Sequence, residues 1–143
     1  SSNIKVDPPP PPAQKPDPGP QPDFDSHLVL TNTKAAHAAG FTGKGVTIGL
    51  LDSGIRRDHP TLSGRVKQSF IYLDPKKNNV NVDDVVGHGT TVAQLAGGTA
   101  FGDWPGGIAP GANFVSARII GDKRPEDDGS GKGTSKYSVD LSK

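Results

Sequence analysis

The amino-acid sequence predicts an α/β fold with a mostly parallel sheet and flanking helices. Residues 46–51 form an almost wholly apolar run, which is typical of a strand buried on both faces of a parallel sheet. Residues 65–73 and 114–120 are further β-rich runs, and residues 88–96 between them have apolar positions at helical spacing. This alternation of strands and helices favours parallel strands joined by helices.

Two segments precede these elements. Residues 1–25 contain nine of the 14 prolines and are predicted to be a disordered, Pro-rich linker with polyproline II character. A spacer and a ligand for an SH3-like domain are both consistent with this composition. Residues 33–39 are predicted to form a short helix with Thr31 or Asn32 as its N-cap. The predicted division is therefore a linker at 1–25 and one folded domain at 26–143.

Composition and charge exclude several classes of function. The chain has 143 residues and a net charge of +1, with positive and negative residues mixed along it. No basic stripe indicates nucleic-acid binding, and no Lys/Arg cluster indicates an anionic membrane surface. No apolar run approaches the roughly 20 residues that a transmembrane segment needs. The absence of cysteine excludes a disulfide framework.

Two polar residues stand where predicted elements begin or end. Asp52 directly follows the apolar strand, at the carboxyl end where parallel sheets build their sites, although Asp-Ser-Gly also suits a plain turn. His88 opens the predicted helix between Gly87 and Gly89, which leave room for the close approach of another chain. A histidine that merely lies near a helix N-terminus also fits this pattern. Each residue alone therefore leaves a functional and a structural interpretation open.

In combination, the motifs around these two residues are far more specific. An Asp-Ser-Gly at 52–54, a His-Gly-Thr at 88–90 and a Gly-Ile-Ala-Pro-Gly-Ala at 107–112 resemble, in this order, the subtilase family of serine endopeptidases. The resemblance covers most of the chain after the Pro-rich segment and implies an incomplete subtilisin-like fold. It also implies an Asp-His-Ser triad that hydrolyses peptide bonds. In this triad Asp52 orients the imidazole of His88, and His88 acts as the general base.

The serine of this triad has no convincing candidate. In the family it lies in a Gly-Thr-Ser-x-Ala segment far downstream of the histidine. Ser135 ends a Gly-Thr-Ser match, but it lies only 47 residues after His88 and Lys136 follows it. The chain is therefore expected to lack the C-terminal part of the peptidase domain and to be inactive alone. The alternative is a degenerate protease domain that acts as a peptide-binding or surface-interaction module, through strand addition at residues 129–137.

The resemblance also implies a polypeptide substrate and a secreted or cell-surface location. The Pro-rich leader makes the chain most similar to exported bacterial subtilases, some of which are autotransporter passengers. Subtilases carry a glycine-serine segment after the corresponding strand, so Gly129, Ser130 and Gly131 are the expected substrate-binding residues. No cofactor is expected. Many subtilases bind calcium through an acidic residue after a His-Pro turn, but Thr61 stands there in this chain.

The remaining polar residues are expected to be structural. Asp84 and His88 lie four residues apart and could hold a metal, but no third ligand is apparent, so no metal site is predicted. Asp83 and Asp84 are expected to be solvated loop acids, and His27 and His37 to be surface residues.

Overall fold

The computed structural model describes residues 3–6, 23–123 and 137–140, with side chains in the range 23–123 only. The elements in chain order are β1 (Asn3–Val6), α1 (Ser26–Leu30), α2 (Thr33–Ala38), β2 (Thr47–Asp52), β3 (Val66–Ile71), α3 (His88–Gly97), β4 (Asn113–Arg118) and β5 (Tyr137–Asp140). Helix α3 lies between β3 and β4 along the chain, as the sequence predicts. The α/β class is therefore confirmed, and the arrangement fits part of a subtilisin fold.

Strands β2, β3 and β4 form a parallel sheet in the order β2-β4-β3. Strand β4 is central, and its residues alternate between half-buried and buried along the strand. Asp52 at the end of β2 pairs with Arg118 at the end of β4, so both strands finish at the same edge of the sheet. The prediction of a mostly parallel sheet is confirmed, and the ends of β2 and β4 together form the edge at which polar residues collect.

The core lies between this sheet and α3. Ile55, Leu62, Ala93 and Phe114 are fully buried and contact one another, with Ile48, Leu50, Val66 and Ala96 packed around them. Ile48 and Leu50 alternate along β2 and therefore point to the same face of the sheet, which is the face that α3 covers. This packing fixes the height of α3 above the sheet and hence the position of its first residue.

The opposite face of the sheet is open within residues 23–123. Leu51 is 59% exposed and Phe70 is 43% exposed, and both pair with Ala117 of the central strand. The prediction that the run 46–51 is buried on both faces is therefore wrong for the described part of the chain. The reason is that α3 covers only the Leu50 side of β2, while Leu51 points the other way.

Some of the N-terminal region differs from the sequence-based prediction. Helix α1 was not predicted, and α2 begins after Asn32, whose backbone is left-handed (φ 57°) and whose side chain makes no capping hydrogen bond. Strand β1 lies within the predicted linker and pairs antiparallel with β5. Residues 7–22 lie outside the described part, and the domain division at residue 25 stays a prediction. None of the helices among the described residues is long and apolar enough to cross a membrane.

Two histidines attach the N-terminal helices to the segment before β4. His27 Nε2 donates to the carbonyl oxygen of Gly106 at 2.7 Å, and the His27 ring stacks on Trp104 at 5.9 Å between centroids. His37 Nε2 donates to the carbonyl oxygen of Ile108, also at 2.7 Å. Both residues are partly exposed, and the expectation of surface histidines did not include these contacts. Their isolated positions in the sequence carry no sign of these contacts.

Candidate active site

Asp52 ends β2 in a buried position. It is 8% exposed, and the backbone N–H of Ser53 donates to its Oδ1 at 2.6 Å. The Asp52 carbonyl oxygen accepts from the N–H of Ile119 at 2.8 Å, which continues the parallel pairing past the strand end. One backbone N–H thus holds the carboxylate of Asp52, and another holds its main-chain carbonyl.

Backbone contact brings the turn after Asp52 against the start of α3. A methyl group on Gly89 would lie 2.1 Å from the carbonyl oxygen of Gly54, closer than any side chain tolerates. Gly54 has a φ of 108°, and a methyl group there would lie 2.0 Å from the carbonyl oxygen of Asp83. Glycine is therefore required on both sides of the contact, which explains Gly54 two residues after Asp52 and Gly89 directly after His88.

The close approach places His88 against Asp52. His88 Nδ1 lies 2.9 Å from Oδ1 and 3.0 Å from Oδ2 of Asp52, so the ring N–H donates to the carboxylate. The His88 side chain is 36% exposed, and within residues 23–123 its Nε2 makes no hydrogen bond. A neutral ring held in this tautomer carries its lone pair on Nε2, at the solvent side. The arrangement can accept a proton from a group that approaches from outside.

The other predicted site residues fall in a part of the chain that the structure does not describe. Gly129, Ser130 and Gly131, the expected substrate-binding residues, lie outside the described residues, and so does Ser135. Their roles stay predictions.

The position at which many subtilases carry a calcium-binding acid does not fit a metal ion in this chain. Thr61 is buried, offers no carboxylate, and its hydroxyl is hydrogen-bonded to His59 Nδ1 at 2.8 Å. Among residues 23–123 no group of three histidine, cysteine or acidic side chains is placed to hold a metal. The expectation that the protein uses no cofactor stays a prediction.

A cavity of about 440 Å³ lies beside the site, along the loop before α3. Two ion pairs line it: Arg56 pairs with Asp58 at 2.7 Å, and Arg57 pairs with Asp83 at 2.9 Å. Asp84 lines it as well. The hydrogen bond from Arg56 lowers the pKa of Asp58, and the hydrogen bond to Asp83 raises the pKa of Arg57. Neither Asp52 nor His88 lines this cavity, so it is separate from the pair.

Asp84 was misjudged from the sequence. It is half-buried, and its carboxylate accepts hydrogen bonds from Ser53, Gly87 and Thr90, so the expectation of a solvated loop acid is wrong. Asp83 was also expected to be solvated, but its carboxylate holds Arg57 through both the backbone N–H and the guanidinium. An acidic residue just before a helix start was the signal available for Asp84, because such residues accept from the free N–H groups there.

Replacing Gly89 with alanine is expected to destabilise the protein by about 1–3 kcal/mol, because the added methyl group overlaps the Gly54 carbonyl. The displaced helix start would also separate His88 from Asp52. Chemical denaturation measures the first effect, and loss of the low-field ¹H NMR signal of His88 Nδ1–H measures the second. Gly49→Ala is the matched control, since nothing lies within 4 Å of the position that its methyl group would take. Equal stability of the two variants contradicts the prediction.

Comparison with known proteins identifies the family of the chain. A family model described as "Subtilase family" matches residues 43–137, which is more than half of the chain. Similar proteins include a subtilisin from Bacillus sp. (strain TA39), 34% identical over 107 residues, which covers 72% of this chain and 23% of the relative. Subtilisin Savinase from Lederbergia lenta is 36% identical over 87 residues, 61% of this chain and 30% of the relative.

Alkaline serine exoprotease A from Vibrio alginolyticus is 32% identical over 84 residues, which is 59% of this chain and 14% of the relative. The chain thus spans between 14% and 30% of the length of these three relatives. The matched region contains the end of β2 and the start of α3, where Asp52 and His88 meet. On these grounds the chain belongs to the subtilase family of serine proteases.

Proposed function

We propose that this protein takes part in peptide-bond hydrolysis by an Asp-His-Ser mechanism, with Asp52 as the orienting acid and His88 as the general base. The contact between His88 Nδ1 and the Asp52 carboxylate, at 2.9 and 3.0 Å, carries the proposal. It has the donor, the acceptor and the free second nitrogen that such a mechanism requires.

In the proposed reaction the two residues move one proton in two steps. A serine hydroxyl attacks the peptide carbonyl carbon while its proton passes to Nε2 of His88. The imidazolium that forms is stabilised by Asp52, which is shielded from water and already accepts a hydrogen bond from the Nδ1–H group. His88 then returns the proton from Nε2 to the amine as the carbon–nitrogen bond breaks, and water repeats the sequence on the acyl-enzyme. General acid–base help of this kind contributes about 10²–10⁴-fold in rate.

The nucleophile is proposed to lie outside residues 23–123. In that range Ser53 is the serine nearest to the pair in sequence, and its hydroxyl donates to Asp84 at 2.9 Å and accepts from the N–H of Gly89 at 2.8 Å. No serine hydroxyl among the described side chains is hydrogen-bonded to His88. The reaction also needs donors for the developing oxyanion, which is the largest electrostatic contribution in such enzymes. Ser135 is not proposed as the nucleophile, because it lies only 47 residues after His88 and is followed by Lys136. The 143-residue chain alone is therefore proposed to be inactive.

We further propose that the substrate is a polypeptide and that the protein acts outside the cell. The Vibrio relative carries the name exoprotease, which supports an extracellular location. The Pro-rich leader supports the finer assignment to exported, autotransporter-type subtilases.

The test compares the 143-residue chain with the complete gene product. Each is incubated with a fluorogenic peptide and with a fluorophosphonate, which labels activated serines. We expect hydrolysis and labelling only where a downstream serine is present, and neither with the chain alone. Labelling of Ser135 in the chain alone contradicts the proposal that the nucleophile lies elsewhere. Absence of both signals from the complete gene product contradicts peptide hydrolysis itself.

A further inference from the structure

We infer that Asp84 is the positioning residue of the Asp52–His88 pair, because it joins the turn after β2 to the first turn of α3. The inference rests on the proposed function for its purpose, but its geometry stands independently of turnover. Asp84 contacts neither Asp52 nor His88 directly, and it acts through residues next to them.

The Asp84 carboxylate accepts four hydrogen bonds. Its Oδ1 accepts from the hydroxyl of Ser53 and from the N–H of Gly87, each at 2.9 Å. Its Oδ2 accepts from the N–H and the hydroxyl of Thr90, at 3.1 and 2.5 Å. One side chain thus holds the residue after Asp52 together with residues on both sides of His88.

A second set of contacts closes the network. Ser53 Oγ accepts from the N–H of Gly89 at 2.8 Å, and the N–H of Ser53 donates to Asp52 at 2.6 Å. Because Ser53 is fully buried, neither its hydroxyl nor its backbone can exchange these partners for water. A rotation of α3 that moved His88 would have to break bonds to both Ser53 and Asp84.

The donors around Asp84 require a carboxylate rather than an amide. The hydroxyl of Thr90 accepts from the N–H of Arg56 at 3.0 Å, and that of Ser53 accepts from Gly89, so both hydroxyl protons point to Asp84. All four groups are therefore donors, and asparagine offers only one acceptor oxygen beside an NH₂ group. A negative charge before the first turn of a ten-residue helix also interacts favourably with the helix dipole.

The neighbouring Asp83 supplies a matched control. It is an acidic residue of the same loop, but its carboxylate pairs with Arg57 and has no contact with the start of α3. Replacing either aspartate with asparagine removes one negative charge and keeps the shape of the side chain. The two variants therefore have the same net charge, and only the Asp84 variant loses the carboxylate that accepts from Ser53, Gly87 and Thr90.

The experiment is ¹H–¹⁵N NMR of the 143-residue chain carrying Asp84→Asn, Asp84→Ala or Asp83→Asn. In both Asp84 variants we expect the low-field signal of His88 Nδ1–H to be lost or broadened. Exchange of the Gly87 and Thr90 amides should become at least about tenfold faster, because each loses a hydrogen bond to a charged acceptor. The Asp83 variant should change neither. Amide signals of β4 report whether each variant is folded. If Asp84→Ala unfolds, Asp84→Asn alone is used to test whether Asp84 positions the pair.

Two outcomes overturn the inference. One is a retained His88 Nδ1–H signal in a folded Asp84→Asn chain, and the other is an equal loss in Asp83→Asn. Because these measurements need no catalysis, they decide the role of Asp84 even where the complete gene product hydrolyses no peptide. In an active gene product, Asp84→Asn should lower kcat with little change in KM, since Asp84 acts on the pair and not on the substrate.

Discussion

Replacing His88 with alanine in the complete gene product is expected to lower kcat for peptide hydrolysis about 10⁶-fold, the size known for the equivalent change in the subtilisin triad. The reason is that Nε2 of His88 is the base placed to take the serine proton, and Asp52 is already bonded to Nδ1. Asp52→Asn should cost less, about 10⁴-fold, because the histidine remains but is no longer held in the productive tautomer.

Steady-state kinetics with a fluorogenic peptide measures both variants. His37→Ala is the control, because His37 bonds to the Ile108 carbonyl and lies in α2, far along the chain from the pair. It should retain nearly full activity. A His88→Ala enzyme within about tenfold of the unmodified protein is incompatible with a general-base role, whatever the Asp52 variant does.

The sequence predicted the positions of Asp52 and His88 because both lie at the ends of elements with strong local patterns. The apolar run before Asp52 and the glycines around His88 are signals that need no knowledge of the rest of the fold. In the folded chain, the close contact of Gly54 with Gly89 brings these two separately predicted positions together.

Asp84 could not be predicted in the same way. Its loop has no periodic pattern, and its role depends on Ser53, a residue 31 positions earlier that only the folded chain brings near. For a related reason, the apolar pattern of residues 46–51 alone could not show that Leu51 is exposed. An apolar residue in a strand shows that burial is favourable, but not which element covers each face of the sheet.

The role of Arg118 also depends on residues that are distant in sequence. Its replacement is expected to be the most destabilising change in the described fold. Its side chain is 1% exposed at the end of β4. Its guanidinium donates to the carbonyl oxygens of Asn79 and Val82, at 3.0 and 2.8 Å, and to Asp122 at 2.5 Å. The loop held in this way continues directly into Asp83 and Asp84, so Arg118 connects the central strand to the network around His88.

Arg118→Met is expected to lower the free energy of unfolding by about 3–5 kcal/mol, because it leaves Asp122 and two carbonyl groups without their buried donor. Urea denaturation followed by circular dichroism measures the change. Arg56→Met is the matched control, since that arginine is largely exposed and pairs with an exposed Asp58; its effect should be much smaller.

A double variant separates the charge from the packing. Adding Asp122→Asn to Arg118→Met removes the unpaired carboxylate, so the double variant should be more stable than Arg118→Met alone. The buried Nε of Arg118 has no hydrogen-bond partner in the described residues, which already offsets part of what the guanidinium contributes. If the single and double variants are equally destabilised, the loss comes from packing around the side chain, and the ion pair with Asp122 does not hold the loop in place.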